Sequence, residues 1–489
     1  MQILYTIYLI LLCGVLPIYM KDGYYELGEA KSLCYLLISA PFAALILFNI
    51  LFTKRGQSDI AVDEELHAKR KVLASEFFLY GNAFSVLITF IFSSFKRTAF
   101  LGIEGWRNGV LTLSIAIAFC IISSLNKYKT GEKILVILMI VPFLEMLLSI
   151  LNRFSIYPID INGQNTSFLS TVGNINWFSG YLAIWVPLGI SLMFLSKAFS
   201  KRFMFSGLYT VIGLIALFLQ GSDGATLILI ACYVFMLFWS LSDRNLFRKY
   251  LIQVVVLGIS MTIVDVLIAF WGSYYNYEQT ILLTICKSHI GIILVAAAFF
   301  LYRLGRLFEE INMPFRGSVY KWVCGVCLSV LAICCAAWLI SSFDDSFGNG
   351  RGIIYRMCLD MYMGLSPWQK LVGIGQDCIY PYAMADSMWS SSFRNVFGDL
   401  VLTNAHCEFM TTLIERGLLG AFLYIGLFIS VIYQLIKIKE KEPQALAFGL
   451  PIISYLVYEQ ISFSQVMSMP YAYILVGMGI GLCKVGNRD

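Results

Sequence analysis

Three histidines occur in this 489-residue chain, His67, His289 and His406. His406 stands in Asn404-Ala405-His406-Cys407-Glu408, where the pattern predicts a helix capped at Asn404, with His406 just inside its start and Phe409 and Leu413 on one face. The positive end of a helix dipole disfavours imidazolium, so the ring is expected to be neutral and able to accept a proton. A histidine that only packs at a helix start fits the same pattern. His67 lies in a charged loop and reads as solvated surface. His289 lies in an apolar run near Lys287, with Asp265 at similar depth in the preceding run. An ionisable group inside a membrane is a functional candidate, but an Asp265–Lys287 ion pair accounts for both charges without chemistry.

Arginines flank His406 in the chain. Arg351 follows Gly350 at the start of a predicted helix, and Arg356 comes later on it. Guanidinium forks bind phosphate oxygens bidentately and stay charged, which suits a diphosphate at a membrane surface. Arg356 also has Asp360 four residues on as a helix partner; Arg351 has no such partner and ranks first. Arg107, in Gly105-Trp106-Arg107-Asn108-Gly109, reads either as a ligand-binding group or as an interfacial anchor beside Trp106. Most of the 13 cysteines fall in apolar runs, as small hydrophobes do. Cys324 and Cys327 have the C-x-x-C spacing but lie mid-run, and any pairing of Cys358, Cys378 and Cys407 is open.

The elements that must hold these residues are membrane spans. The chain is 59% hydrophobic and only 13% charged, whereas soluble domains carry about 25% charged residues. Its apolar residues form long runs between short polar loops, which excludes soluble, disordered and disulfide-scaffold classes and disfavours a β-barrel. The runs predict fourteen spans: 3–20, 33–52, 73–94, 108–126, 134–152, 176–195, 206–220, 225–241, 250–271, 281–302, 320–341, 418–436, 446–461 and 470–485. The first reads as an uncleaved span. Loops of one parity hold 23 of the 35 lysines and arginines, so the positive-inside rule places both termini in the cytoplasm. The fold expected is all-α and polytopic, with about 12–14 transmembrane helices. Residues 1–341 form an N-terminal bundle, 342–417 one large extracytoplasmic helical loop bearing the active site, and 418–489 the C-terminal spans. That loop is far beyond ordinary length and so is expected to be functional. Ile353, Met357 and Met361 recur in it at helical spacing, and a helix–loop–helix on the membrane surface is the simplest picture.

His406-Cys407, nine residues and then Gly417-Leu418-Leu419-Gly420 resembles the signature of the O-antigen ligase/polymerase family, in which His followed by Asn, Ser or Gln precedes G-x-x-G. Gly173-Asn174-Ile175-Asn176-Trp177, Gly350-Arg351 and Leu371-Val372-Gly373-Ile374-Gly375 agree in order. The match is best over 345–425. The resemblance implies a GT-C-type membrane fold in the bacterial cytoplasmic membrane. It also implies a metal-independent, inverting glycosyltransferase without cofactor. The donor would be an undecaprenyl-diphosphate-linked glycan and the acceptor a glycan, lipid or protein; membrane lipids surround it and no nucleic acid is involved. His406 corresponds to the family's base and Arg351 to an arginine on the carrier diphosphate. Two positions depart from the pattern: Cys407 replaces Asn/Ser/Gln, and Asp223 in Gly221-Ser222-Asp223-Gly224-Ala225 stands where the family has arginine. A second diphosphate arginine would then come from Arg107 or Arg356. The rival class is a lipid-linked oligosaccharide flippase.

Overall fold

Backbone N–H and C=O groups find no water inside a bilayer, so apolar runs of about 20 residues are stable there as helices. The computed structural model describes residues 2–53, 73–125 and 132–486, and all fourteen apolar runs are helical in it. Ten described helices are long and apolar enough to cross a membrane. Four shorter apolar helices, Gln2–Gly14, Val110–Leu125, Ala225–Ser240 and Ala445–Ile461, fill the remaining places. The chain is an all-α, multi-pass membrane protein, and its described sheet is one ribbon pairing Phe168–Leu169 with Gly173–Asn174. His67 lies outside the described residues.

Helix Ile175–Leu195 is the hub, with 94% of its most apolar stretch buried. Apolar residues on all its sides make that position favourable, and Lys201–Leu219 and Ala445–Tyr458 pack directly on it. At the other extreme, none of the most apolar stretch of Gly317–Ser341 is buried. Apolar side chains left exposed on the outside of the bundle are stable where lipid is their solvent.

Several ionisable groups inside the bundle find partners. Lys31 lies within helix Leu27–Thr53, not in a loop, and donates to the carbonyls of Leu16 at 3.0 Å and Pro17 at 2.6 Å. Glu145 accepts from the Thr171 hydroxyl at 2.5 Å and amide at 3.0 Å. Asp265 pairs with His289 Nδ1 at 2.5 Å and not with the expected Lys287. His289 adopts a left-handed backbone at the start of helix Ile290–Glu310, and its ring meets Asp265 of helix Arg244–Trp271.

Residues 342–407 hold more than a helix–loop–helix. Helices Phe347–Gly364, Pro367–Val372, Ile379–Ala385 and Ser387–Phe397 follow one another before the chain reaches helix Glu408–Ile438. Ser366 and Gln369 close a capping box around Pro367 at the second, and Asp386 caps the fourth. They share a small core of their own, in which Met357 and Met361 meet Ile374, Ile379, Phe393 and Ile414. The helical spacing read from Ile353, Met357 and Met361 is thus the buried face. Phe409, placed with Leu413 on one face, is 40% exposed. Thr411, Ile414 and Glu415 are buried instead.

Candidate active site

Two glycine-containing segments set the direction of the chain that carries His406. Helix Glu408–Ile438 is broken at Gly417, whose φ of 68° and ψ of −173° are open only to glycine. The break frees the carbonyls of the preceding turn. Ile374 and Gly375 supply the missing donors, their amides reaching the Ile414 and Glu415 carbonyls at 3.2 and 3.0 Å. The Thr89 hydroxyl adds a third bond to the Glu415 carbonyl at 2.6 Å. Close approach requires glycine on both sides: a Cβ would fall 2.0 Å from the Glu415 oxygen at Gly373 and 2.3 Å from the Leu371 carbonyl at Gly417. The half-helix Glu408–Arg416, with His406 just before it, is aimed by this crossing.

His406 precedes that helix and is not inside it. Cys407 is the N-cap residue, without a side-chain cap bond, and Asn404 does not cap. The Asn404 Oδ1 instead accepts the His406 amide at 3.0 Å, while Thr411 Oγ accepts the Ala405 amide at 3.0 Å and donates to the Cys407 carbonyl at 3.1 Å. His406 sits in the left-handed region at φ 50°. Its ring meets Phe463 edge to face, with centroids 5.3 Å apart at 85°, and its Nδ1 is buried without a hydrogen-bond partner. Burial first, and then the Arg351 charge, push the imidazole down to about 4. The ring is neutral, as expected, but desolvation and a neighbouring cation replace the helix dipole as the cause.

Arg351 is the arginine that the fold brings to this histidine. Its Nη1 donates to the Ile461 carbonyl at 2.7 Å, two residues from the Phe463 ring on His406. Tyr355, one turn along the same helix, hydrogen-bonds the Arg351 side chain and donates its own hydroxyl to the His406 carbonyl at 3.3 Å. Among the described residues no carboxylate pairs with Arg351. The other two arginines are committed elsewhere. Arg356 is exposed and pairs with Asp345, not Asp360. Arg107 is held by Glu29 through its Nε at 2.9 Å and its Nη2 at 2.7 Å.

The segment after the Ala445–Tyr458 helix is the part of the site that no motif announces. Besides Ile461 and Phe463 it contributes Ser464, whose amide donates to Glu408 Oε2 at 2.9 Å and whose carbonyl accepts from Asn108 Nδ2 at 2.8 Å. Trp106 packs on Phe463 at 5.3 Å. The loop carrying Trp106 and Asn108 is in turn fixed by Asp377, whose Oδ2 accepts the Ile103 and Asn108 amides at 2.7 and 3.2 Å. Burial raises the Asp377 carboxyl to about 7. Behind these residues lies a polar cavity of about 30 Å³, lined by Asn108, Asp377, Asn404, Glu408, Glu415 and Arg416, room for one or two waters.

No protein-family model matches this sequence, and no curated protein does either. The site therefore has to be read from its own chemistry. Among the described residues no three His, Cys, Asp or Glu side chains gather as metal ligands. Cys358, Cys378 and Cys407 are free thiols. Asp223, at the position that departs from the family pattern, accepts the Ile281 amide at 2.7 Å. The buried arginine beside that segment is Arg153, which donates to the carbonyls of Thr166 at 2.8 Å, Leu219 at 3.1 Å and Gln220, and lies 4.3 Å from the Tyr277 ring centre. Leu219 and Gln220 end helix Lys201–Leu219, so Arg153 completes a helix C-terminus.

Proposed function

We propose that the protein transfers a glycan from a polyprenyl-diphosphate donor to an acceptor hydroxyl, as a member of the O-antigen ligase/polymerase family. The observation that carries this reading is the convergence of Arg351 and His406 on one short segment, Ile461–Phe463, from places 55 residues apart in the chain. A fixed guanidinium without a carboxylate partner is suited to an anionic leaving group, and a neutral imidazole beside it to an incoming hydroxyl. The lysine and arginine asymmetry of the loops supports an extracytoplasmic position for both, on the outer face of the cytoplasmic membrane.

In the mechanism that follows, His406 takes the acceptor proton as its oxygen attacks the anomeric carbon. The bond from that carbon to the diphosphate oxygen breaks with its electron pair, and oxocarbenium character develops on the sugar. Charge growing on the lipid diphosphate is stabilised by Arg351, which acts most where charge increases. A positioned base contributes about 100- to 10,000-fold, and single-step attack inverts the anomer. Polymerase and ligase share this donor chemistry and differ in acceptor.

The test is reconstitution in vesicles with an undecaprenyl-diphosphate oligosaccharide and candidate acceptors, scored by product size. His406→Ala should abolish product while the protein stays in the membrane at its normal level. A fully active His406→Ala protein refutes the base assignment. Donor that crosses the bilayer with no product formed assigns the protein to the flippase class.

A further inference from the structure

A histidine base usually has its second ring nitrogen on a carboxylate, which steadies the imidazolium that forms. His406 has no such partner: its Nδ1 is buried and unbonded. The charged and titratable groups around it are Arg351 and Tyr355 on helix Phe347–Gly364, Cys407 and Glu408 on its own segment, and Tyr458 and Glu459 behind Ile461. Glu408 is turned to the Ser464 amide and Thr412, and Glu459 to Ser468. The one charge facing the ring is therefore the Arg351 cation, and it opposes protonation. Arg351 itself is held by a carbonyl and a phenol, leaving fork nitrogens and a full positive charge for an anion.

We infer that His406 is a ligand-gated base: the negative charge of the diphosphate held by Arg351 converts the imidazole from a poor proton acceptor into a competent one. This rests on the glycosyl-transfer reading for the identity of the ligand. It deepens that reading by fixing the order of events. A bound diphosphate changes the charge facing the ring from net positive to net negative, and a nearby negative charge favours the protonated imidazole. The acceptor O–H proton then passes to His406 as the new C–O bond forms and the electron pair of the old one leaves on the diphosphate. Departure of that diphosphate restores the opposing field and expels the proton. Acceptor hydroxyls and water are left unactivated while no donor is bound.

The test is the rate of ethoxyformylation of His406 by diethyl pyrocarbonate, which attacks neutral imidazole, on the detergent-solubilised full chain. Peptide mass spectrometry separates His406 from His67 and His289, which serve as references. Without ligand the His406 rate should be flat from pH 8 to below 5.5, since its midpoint lies at about 4. With inorganic pyrophosphate bound, followed by equilibrium dialysis, the midpoint should rise toward about 6.5, the ordinary histidine value. Farnesyl diphosphate in the same micelles should act at lower concentration, and equal potency overturns the lipid-linked ligand. Arg351→Gln should raise the ligand-free midpoint and abolish the response. A ligand-free midpoint near 6.5, an unmoved midpoint with pyrophosphate bound, or no pyrophosphate binding overturns the gating. Glycan transfer measured on the same preparation separates the two ideas. Gating without transfer refutes the transferase, and transfer with an ungated histidine refutes only the gate.

Discussion

Replacing Gly417 by Ala tests whether the broken helix positions the site. An L-residue held at the Gly417 angles of φ 68° and ψ −173° costs about 1–3 kcal/mol in backbone strain alone. The new Cβ also meets the Leu371 carbonyl carbon and oxygen at 2.3 Å, and both are backbone atoms that cannot swing aside. Relief requires the half-helix to straighten, which withdraws the Ile414 and Glu415 carbonyls from the Ile374 and Gly375 amides. Straightening exchanges that strain for two lost hydrogen bonds at about 1 kcal/mol each, so either route costs about 1–3 kcal/mol. The nine residues Glu408–Arg416 form a lever of about 13 Å, so a change of about 20° in direction carries the His406 end by about 4–5 Å. That separates the imidazole from Phe463 and Arg351. Gly417→Ala should therefore unfold at a clearly lower temperature in detergent and lose transfer even at temperatures where it is folded. Gly325→Ala, in helix Gly317–Ser341 with nothing within 4 Å of its Cβ, should stay within about 1 kcal/mol of the parent. A Gly417→Ala protein with parental melting and parental transfer refutes the argument that the break aims His406.

Other expectations follow from the same geometry. Arg351→Lys should lose at least about tenfold in transfer, because a point charge does not reproduce a bidentate fork; parental activity with Lys refutes the fork. Arg107→Ala should retain most transfer while losing about 1–2 kcal/mol of stability with its half-buried Glu29 partner, and a double-mutant cycle with Glu29→Ala reads that coupling directly. Phe463→Ala should lower kcat more than the donor KM, since it removes the wall of His406 and leaves the Arg351 anchor on Ile461; an effect on KM alone counts against this role. Asp377 is raised to about 7 from 3.8, so its folded form keeps a proton that the unfolded chain releases. That contribution is complete below pH 3.8 and is lost as pH rises through 7, and Asp377→Asn should flatten the fall of melting temperature across this window. His406, lowered from 6.5 to about 4, acts with the opposite sign: stability is lost as pH falls from 6.5 to 4, and His406→Gln should remove that part of the acid slope.

The fourteen apolar runs were legible because a span has one dominant physical requirement, a length of apolar side chains around a self-satisfied backbone. The buried face through Met357 and Met361 was legible for a similar reason. Partner choice was less so, since a charge can be satisfied by any group the fold brings near. Local spacing suggested Asp360 for Arg356, Lys287 for Asp265 and an Asn404 cap. The fold supplied Asp345 and His289 for the first two, and Asn404 turned to the His406 amide. Ile461–Ser464 leaves little mark in the sequence because its contribution is largely backbone: two carbonyls and an amide, groups that nearly every residue carries. The one signal was compositional, Glu459 and Gln465 set between two apolar helices where a plain turn has no need of them.

Comparing how each buried or half-buried arginine near the site is satisfied identifies the one with chemistry to offer. Arg107 has a carboxylate, and Arg153 has three carbonyls and an aromatic face. Arg416 has Asn82, Thr412 and the Tyr424 ring, while its buried Nε has no hydrogen-bond partner. Each is held by groups whose removal would break the fold around it, so its charge is already spent on structure. Arg153 and Arg416 also lack a paired carboxylate but are sealed inside the fold, whereas Arg351 is half-buried, is held through a carbonyl and a phenol, and stands beside an imidazole with an unbonded nitrogen. A half-buried positive charge without a counter-ion is only partly offset by water. In the proposed mechanism an arriving anion would compensate the cation and let the imidazole accept its proton. The diphosphate of that proposal would carry its greatest charge as it leaves, which is when Arg351 would act on it most.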